Sequence, residues 1–207
     1  MNEDQEIFCF TDDSSELGHV ERINYRDTKH MILNVHYAKR MPSISYAFGL
    51  FKNAKLLGVC TFGSPASPFL CQGICGKKFK KNVIELNRLV LLENKKNQAS
   101  YLISQSLKLL PKPKVIVSYA DEKQHHVGTV YQATNFMFTG TTKERTDIAS
   151  QENNHSRHHL GDSSKRVTRS SKHRYVYFLG NKKEKSVFLK NLNYPIKKYP
   201  KLQGIRL

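Results

Sequence analysis

The sequence predicts an α/β protein with a mixed sheet and flanking helices, because strand-like and helix-like patterns alternate along its middle. An apolar run at residues 83–91 leads through a polar turn to a helical spacing of apolar residues at 100–110. A second apolar run follows at 115–119, and a short helical segment at 128–136. Strands joined through a helix pair in parallel, so these residues indicate a β-turn-α-β-α unit.

Elements on both sides of this unit complete the predicted sheet. Residues 44–62 contain two apolar runs around a polar turn, which predicts an antiparallel hairpin. Apolar spacing over residues 25–37 predicts a short helix ahead of it. Two prolines and several glycines predict a long loop over residues 63–81. Residues 138–141 and 174–179 are expected to add the last strands.

The chain is expected to form one domain over residues 1–207. Its 207 residues, of which 39% are hydrophobic, are enough to bury a core. Residues 1–20 are rich in acidic side chains and are expected to be peripheral. Residues 142–171 are basic, polar and poor in large apolar side chains, which predicts a flexible insertion. Residues 181–207 are expected to form a basic tail.

The charge of the chain indicates a polyanionic partner, because the formal net charge is +17 and the pI is near 9.8. Nucleic acid is the first candidate. A membrane surface is the rival, but no basic amphipathic helix or membrane-length apolar run favours it. Without a secretory signal, the four cysteines are expected to remain thiols inside a cell. The residues expected to contact DNA are Lys77, Lys78, Lys80, Lys81, Arg166 and Arg169.

The turn before the predicted helix is a candidate site for an anionic cofactor. The first helical turn leaves backbone N–H groups unpaired, and the helix dipole adds partial positive charge there. An ordinary solvated loop is the alternative for this turn. The residues expected to bind the cofactor are Asn94, Lys95, Lys96, Asn97, Gln98, Ala99 and Ser100.

Several motifs together resemble the Mom family of bacteriophage DNA-modification proteins. The first is Glu85-Leu86-Asn87-Arg88-Leu89-Val90, and the second is Val117-Ser118-Tyr119-Ala120-Asp121. The third runs from Gly128 to Phe136, and His36-Tyr37 ahead of a Met-Pro pair is the fourth. The resemblance covers residues 35–140. The cofactor turn departs from it, since it lacks the glycine-rich form of ordinary acetyltransferases.

The resemblance implies a GNAT-like acyltransferase fold, acetyl-CoA as cofactor and double-stranded DNA as substrate. It further implies that a flipped adenine receives a carbamoylmethyl-type (acetamido) group on N6. This modification would protect phage DNA from host restriction enzymes, in the cytoplasm of the bacterial host. The sequence leaves open whether the chain acts as a homodimer. The family's essential positions fall on His36, Tyr37, Arg88, Ser100, Asp121 and Tyr131.

Chemistry suggests a role for each of these side chains. The adenine amine is a weak nucleophile, so we expect Asp121 to accept its proton and Tyr131 or Tyr37 to hold the base. Arg88 is expected to bind a phosphate or a developing oxyanion. His36 and Asp121 are candidate ligands for a divalent metal such as iron.

Each of these residues also has a purely structural alternative. Arg88 and Asp121 could form an ion pair, Ser100 could cap the helix, and Tyr131 could be a core aromatic. Two rival functions remain: a GNAT acetyltransferase of a protein or small amine, and a non-catalytic DNA-binding protein.

Overall fold

The computed structural model describes residues 17–148 and 166–201 and contains a seven-stranded sheet with helices on both faces. Within these residues, no helix is long and apolar enough to cross a membrane. The helices are α1 (Pro68–Cys75), α2 (Gln98–Leu109), α3 (Thr129–Ala133) and α4 (Lys182–Lys190). The strands are β1 (His19–Arg22), β2 (Tyr46–Lys52), β3 (Lys55–Gly63), β4 (Val83–Leu91), β5 (Lys114–Asp121), β6 (Met137–Thr141), β7 (Arg145–Ile148), β8 (Arg166–Arg169) and β9 (Lys172–Leu179).

The sheet has the strand order β1-β2-β3-β4-β5-β9-β6. All its neighbouring strands are antiparallel except β4 and β5, which are parallel and are connected through α2. β7 and β8 form a separate antiparallel ribbon. The predicted α/β class, a mixed sheet with flanking helices, is confirmed, as are the hairpin and the β-turn-α-β-α unit.

Each face of the sheet carries its own apolar core. Along β5, Ile116 and Ala120 face the core that includes α2 and α3, whereas Val115 and Val117 face the core that includes α1 and α4. This alternation is the period of two expected of a strand buried on both faces. The buried side chains that the helices contribute are Leu102, Ile103 and Leu107 of α2, Tyr131 of α3, Ile74 and Cys75 of α1, and Phe188 of α4.

The helical segment predicted over residues 25–37 is present as consecutive short turns. A 3₁₀ turn spans Tyr25–Thr28, and a π-type turn spans Met31–Val35. Asn24 begins the segment by accepting a hydrogen bond from the Arg26 N–H. The helical backbone ends before His36, which is extended.

The prediction of a long loop over residues 63–81 is wrong, because this stretch contains α1 and the start of a 3₁₀ segment at Lys77–Asn82. Pro68 suggested a break, but it occupies the first position of α1, where its missing N–H costs nothing. The inner side of α1 is apolar, and Ile74 and Cys75 are fully buried. Burial of this side holds the helix in place.

The basic tail predicted over residues 181–207 is also more ordered than expected. Asn181 and Glu184 form a capping box at the start of α4. The following residues run back across the molecule, and the Asn193 N–H donates to the Ile74 carbonyl while the Tyr199 hydroxyl donates to the Phe136 carbonyl. Residues 202–207 lie outside the described residues.

The two remaining segments differ in part from their predictions. Of the flexible insertion predicted over residues 142–171, the two ends form the β7–β8 ribbon, and residues 149–165 lie outside the described residues. Of the peripheral stretch predicted over residues 1–20, residues 1–16 lie outside them. His19 already belongs to β1, which pairs with β2 at the sheet edge.

The start of α3 depends on a glycine. Gly128 has φ +75°, and a Cβ there would lie 2.4 Å from Cε2 of Tyr175. Gly76 has φ +80°, but a Cβ there would meet nothing within 4 Å.

Gly76→Ala should therefore lower the free energy of unfolding by about 1–2 kcal/mol from the left-handed backbone alone. Gly128→Ala should lower it by about 3 kcal/mol or more, because it adds the overlap with Tyr175. Urea unfolding of both variants checks this, and equal losses would contradict it.

Candidate active site

The candidate active site begins where β4 and β5 part. The two strands pair only from Val83 with Val115 to Glu85 with Val117. Beyond that point β4 continues to Leu91 beside β3, while β5 continues to Asp121 beside β9. The edge of β4 that faces β5 is thus open, and a cleft of about 1050 Å³ lies at this opening.

Side chains replace the missing strand pairing at the apex of the cleft. The Ser118 hydroxyl of β5 donates to the Leu86 carbonyl of β4 at 2.9 Å. The side chain of Tyr131 in α3 is hydrogen-bonded to Ser118, and burial raises the pKa of this phenol. Tyr131 also packs between Phe136 and Tyr175 of the core. Both the catalytic and the core interpretation of Tyr131 therefore have a structural basis, since it lines the cleft and is buried.

A β-bulge in β4 turns Arg88 away from the apolar core. The register with β3 shifts at Asn87, whose side chain accepts a hydrogen bond from the Thr61 hydroxyl. As a result, Leu86 and Leu89 both pack in the core beneath α2, although they are three residues apart. Arg88 lies between them and lines the cleft.

Arg88 is held by backbone carbonyls, and one of its nitrogens has no partner. Nη1 donates to the Asn87 carbonyl at 2.6 Å, and Nη2 donates to the Arg40 carbonyl at 2.8 Å. Nε is buried and has no hydrogen-bond partner among the described residues. Burial and the charge of Arg40 lower the pKa of Arg88. A buried cationic donor of this kind favours an anionic ligand.

Glu85 lies in the same cleft and was missed in the sequence. It is the last β4 residue that pairs with β5. Burial raises its pKa to about 7, although Arg88, Lys172 and the Ala66 backbone act in the opposite direction. A carboxyl that titrates near neutral pH is suited to proton transfer. The available signal was a carboxylate on an otherwise apolar central strand.

Asp121 lies beside the cleft, where its charge adds to burial in raising the pKa of Tyr37. Its oxygens accept hydrogen bonds from the Ser170 hydroxyl at 2.5 Å and the Lys123 N–H at 3.0 Å, and one pairs with Lys172 Nζ at 2.9 Å. Burial opposes ionisation, but these partners outweigh it and lower the pKa of Asp121. Ser170 and Lys172 line the cleft, whereas Asp121 lies outside the lining formed by the described residues. The predicted Arg88–Asp121 ion pair is absent from the described contacts.

His36 and Tyr37 form the opposite wall of the cleft. Their rings stack with centroids 4.4 Å apart, and Tyr37 contacts His126 edge-on at 6.2 Å. Burial, Arg88 and His126 lower the pKa of His36 to about 4, so His36 is neutral at pH 7. Its Nδ1 accepts from the Ala38 N–H, which leaves the ring proton on Nε2. Tyr37 is 52% exposed and presents an aromatic ring to the cleft.

The predicted cofactor residues divide between two cavities. Asn94 and Ala99 line the cleft. Asn97 and Ser100 line a neighbouring cavity of about 580 Å³ between α2 and α3. The Ser100 hydroxyl donates to the Asn97 carbonyl within its own helical turn, and Asn97, not Ser100, occupies the N-cap position.

The other predicted cofactor residues line neither cavity. Gln98 is buried, and its Oε1 has no partner among the described residues. Lys95 pairs with Glu93 at 2.6 Å, and Lys96 is exposed beside it. These two lysines remain near the start of α2, where they add positive charge.

The described residues do not form the predicted metal site. Within residues 17–148 and 166–201, there is no group of three or more His, Cys, Asp or Glu side chains that could hold a metal ion. Asp121 already accepts from three donors, and His36 Nδ1 accepts from a backbone N–H. The prediction of a metal such as iron at His36 and Asp121 therefore finds no support in this part of the chain.

Positive charge surrounds the cleft. The β7–β8 ribbon brings Arg145 and Arg169 to its rim, where both pair with Asp147. Of the residues predicted to bind DNA, Arg169 lines the cleft, Arg166 is exposed at the start of β8, and the four lysines of the 3₁₀ segment are exposed beyond α1. The basic residues lining the cleft are Arg40, Arg88, Lys143, Arg145, Arg169 and Lys172.

The mixed seven-stranded sheet with helices on both faces defines the chain as an α/β protein, and acetyltransferases are among the solved structures to which it is similar. An N-acetyltransferase from Staphylococcus aureus Mu50 is 15% identical, with 78% of this chain and 98% of that one covered and a TM-score of 0.48. A ribosomal-protein-alanine N-acetyltransferase from Brucella melitensis is 8% identical, with 78% and 99% covered and a TM-score of 0.49. Similarity at this level does not identify a substrate.

Sequence similarity assigns the family. The model of the Mom protein family matches residues 18–201, and the chain belongs to this family. A protein described as "Methylcarbamoylase mom" from Escherichia phage Mu is 32% identical over 128 residues. The match covers 59% of this chain and 53% of that protein, so the chain spans about half the length of the curated relative.

His36 predicts a dependence of stability on pH. Its pKa is about 4 in the folded chain, against 6.5 for an unperturbed histidine, so the unfolded state binds more protons between these values. Its contribution to stability should be complete above pH 6.5 and lost as the pH falls to 4, with an upper limit of about 3 kcal/mol. Unfolding experiments across this range should show a weaker pH dependence for His36→Gln than for the wild type. An identical dependence would contradict the burial of a neutral His36.

Proposed function

We propose that this chain modifies DNA, using acetyl-CoA to place a carbamoylmethyl-type group on N6 of adenine. Membership of the Mom family and the name of the phage Mu relative support a transfer of this kind. The observation that carries the proposal is Glu85, a carboxyl titrating near pH 7 beside Arg88 in a cleft between parting strands. The modification protects phage DNA from host restriction enzymes inside the bacterial host.

The cleft fits an extended thioester cofactor. The open edge of β4 offers backbone groups to which the amides of a pantetheine arm can bond as an added strand. Asn94 and Ala99 place the start of α2 beside this edge, where a pyrophosphate is favoured. Acetyl-CoA supplies the two-carbon unit of the product. A carbamoylmethyl group also contains an amide nitrogen and a methylene bonded to N6, so its formation requires a nitrogen donor and a two-electron oxidant in addition.

Glu85 is the base in this proposal, in place of Asp121. The lone pair of the adenine amine is delocalised into the ring, so N6 must lose a proton as its new bond forms. The carboxylate of Glu85 lines the cleft and is half ionised near pH 7. Asp121 is ionised as well, but its oxygens are occupied by Ser170, Lys123 and Lys172. Asp121 is instead a positioning residue that holds Lys172 and Ser170 at the cleft.

Arg88 and Tyr131 are assigned to the displacement of CoA, in which the nitrogen donor attacks the thioester carbonyl and the CoA thiolate leaves. The unpartnered Nε of Arg88 can bond to an oxygen on which negative charge develops. Tyr131 stays protonated because burial raises its pKa, so its hydroxyl can donate a hydrogen bond to a departing thiolate. Both side chains line the cleft, on either side of the apex formed by Ser118 and Leu86.

The aromatic wall is suited to a purine. Tyr37 is half exposed and fixed by stacking on His36, so its ring can support a flat heterocycle. The neutral His36 keeps its Nε2 proton and can donate to a ring nitrogen. An adenine within a duplex must be flipped out to reach this wall.

The charge of the cleft favours DNA over the two rival substrates. Six basic residues line it against the acidic Glu85 and Asp147, which attracts phosphates and repels cationic amines such as lysine or polyamines. A non-catalytic DNA-binding protein would gain nothing from burying Glu85. Burying a carboxyl costs stability, which is typical of a site retained for chemistry.

Nucleoside analysis tests the proposal. DNA from bacteria that express the protein should contain a modified deoxyadenosine, detected by mass spectrometry after digestion. Its mass separates a carbamoylmethyl from an acetyl group, which differ by one NH unit. Expression of Glu85→Gln is the control. Unmodified DNA in cells with abundant folded wild-type protein would contradict the proposal.

Glu85 and Asp121 should differ when each is replaced by its amide. Glu85→Gln should lower the modification rate by about a hundredfold or more without lowering the melting temperature at pH 8, since its ionisation opposes folding. Asp121→Asn should lower the melting temperature, because it breaks the pair with Lys172. The wild-type rate should rise with pH through about 7 as Glu85 loses its proton. A Glu85→Gln protein with more than about a tenth of wild-type activity would show that another group is the base.

A further inference from the structure

Phe69 is an exposed aromatic ring with no function in the chemistry above. It is 83% exposed, more than any other large hydrophobic residue in the described part of the chain. Another phenylalanine nearby, Phe79, packs edge-on against Phe188 with ring centroids 5.4 Å apart. Phe79 is therefore packed against another aromatic ring, whereas Phe69 is exposed to solvent.

The position of Phe69 relates it to the cleft. It lies in the first turn of α1, between Ser67 and Leu70, and both of these neighbours line the cleft. The backbone of Ala66, just before this turn, hydrogen-bonds Glu85. Phe69 thus belongs to the helical turn whose neighbouring residues line the cavity that holds the proposed base.

The helix that carries Phe69 is firmly anchored on its other side. Ile74 and Cys75 are fully buried against the sheet, and the Cys75 thiol contacts the Phe188 carbonyl of α4 at 3.7 Å. Asn193 reaches α1 from the C-terminal segment, since its N–H donates to the Ile74 carbonyl and its side-chain amide to the Gly73 carbonyl. Because these contacts hold α1 in place, Phe69 can contact a partner without displacement of the helix.

The surroundings of Phe69 indicate the kind of partner. Directly after α1 the chain presents four exposed lysines, Lys77, Lys78, Lys80 and Lys81. An exposed apolar ring at the start of α1, four exposed lysines after the end of this helix, and six basic residues in the neighbouring cleft together match the chemistry of nucleic acid. Phosphates contact the cations, and the stacked bases are the apolar part of the partner.

We infer that Phe69 is a wedge that enters the base stack of duplex DNA and occupies the space of the extruded adenine. Apolar side chains inserted between base steps unstack them, and extrusion of a base costs free energy that such contacts offset. Burial of the ring in the stack also removes its apolar surface from water. This inference rests on the proposed function, because it assigns to Phe69 the step that delivers adenine to the cleft.

Two substitutions at Phe69 and one control test the wedge. Phe69→Ala removes the ring, Phe69→Leu keeps apolar bulk, and Leu109→Ala removes another exposed side chain, 51% exposed at the far end of α2 from Ala99. Duplex affinity at fixed salt and the permanganate reactivity of thymines left unpaired by base extrusion are measured for each protein with the same duplex DNA. The yield of modified deoxyadenosine is measured in DNA from bacteria that express each protein to the same level.

Wild type, Leu109→Ala and Phe69→Leu should all produce thymines that are hyper-reactive to permanganate. Phe69→Ala should bind the duplex within about threefold of wild type, because phosphate contacts supply most of the affinity. It should nevertheless lose the hyper-reactivity and at least about tenfold of the modification yield. Its melting temperature should not fall, since the ring makes little contact with the rest of the protein.

Different experimental results would contradict the wedge and the proposed function. A Phe69→Ala protein that keeps wild-type permanganate reactivity and modification yield would overturn the wedge and leave the proposed function intact. The same holds if wild-type protein modifies the duplex without creating reactive thymines. Absence of any modified nucleoside with the wild-type protein would instead contradict the proposed function.

Discussion

The separation of β4 from β5 is the constraint on which the rest of the site depends. Strands in a continuous sheet satisfy their backbone groups mutually, and here that pairing stops after Glu85 and Val117. The Ser118 hydroxyl satisfies the Leu86 carbonyl at the point of separation, and Tyr131 bonds to Ser118 in turn. The gap in the sheet is thus closed at Leu86 and beneath Tyr131, and both of these residues line the cleft.

Electrostatics then divides the acidic residues between two roles. Glu85 lies on the central strand β4, where burial raises its pKa to about 7 even though Arg88 and Lys172 stabilise its charge. Asp121 lies where Ser170, Lys123 and Lys172 surround its oxygens, and its pKa falls. Asp121 therefore attaches the residues that follow β8, Ser170 and Lys172, to the end of β5. The basic residues that would face a polyanion are held in place by this contact and by Asp147.

The sequence was sufficient for the elements whose period is regular. The alternation in 83–91 and 115–119 and the helical spacing between them predicted the parallel pair and its helix, and the predicted hairpin is present. Local signals failed where tertiary packing decides, as in α1, where Pro68 begins a helix instead of ending a pattern. Arg88 and Tyr131 were predicted through family motifs, and both line the cleft. Glu85 was missed because its raised pKa comes from burial, which depends on tertiary packing around the cleft and not on the residues next to it in the chain.

A crystal structure of the protein with an unreactive thioether analogue of acetyl-CoA tests the central claim most directly. The account predicts that the pantetheine arm bonds to the open edge of β4 beyond Glu85, with the acyl carbonyl near Arg88 and the pyrophosphate at the start of α2. Binding of the analogue in the cavity between α2 and α3, with its acyl group away from Glu85 and Arg88, would contradict it.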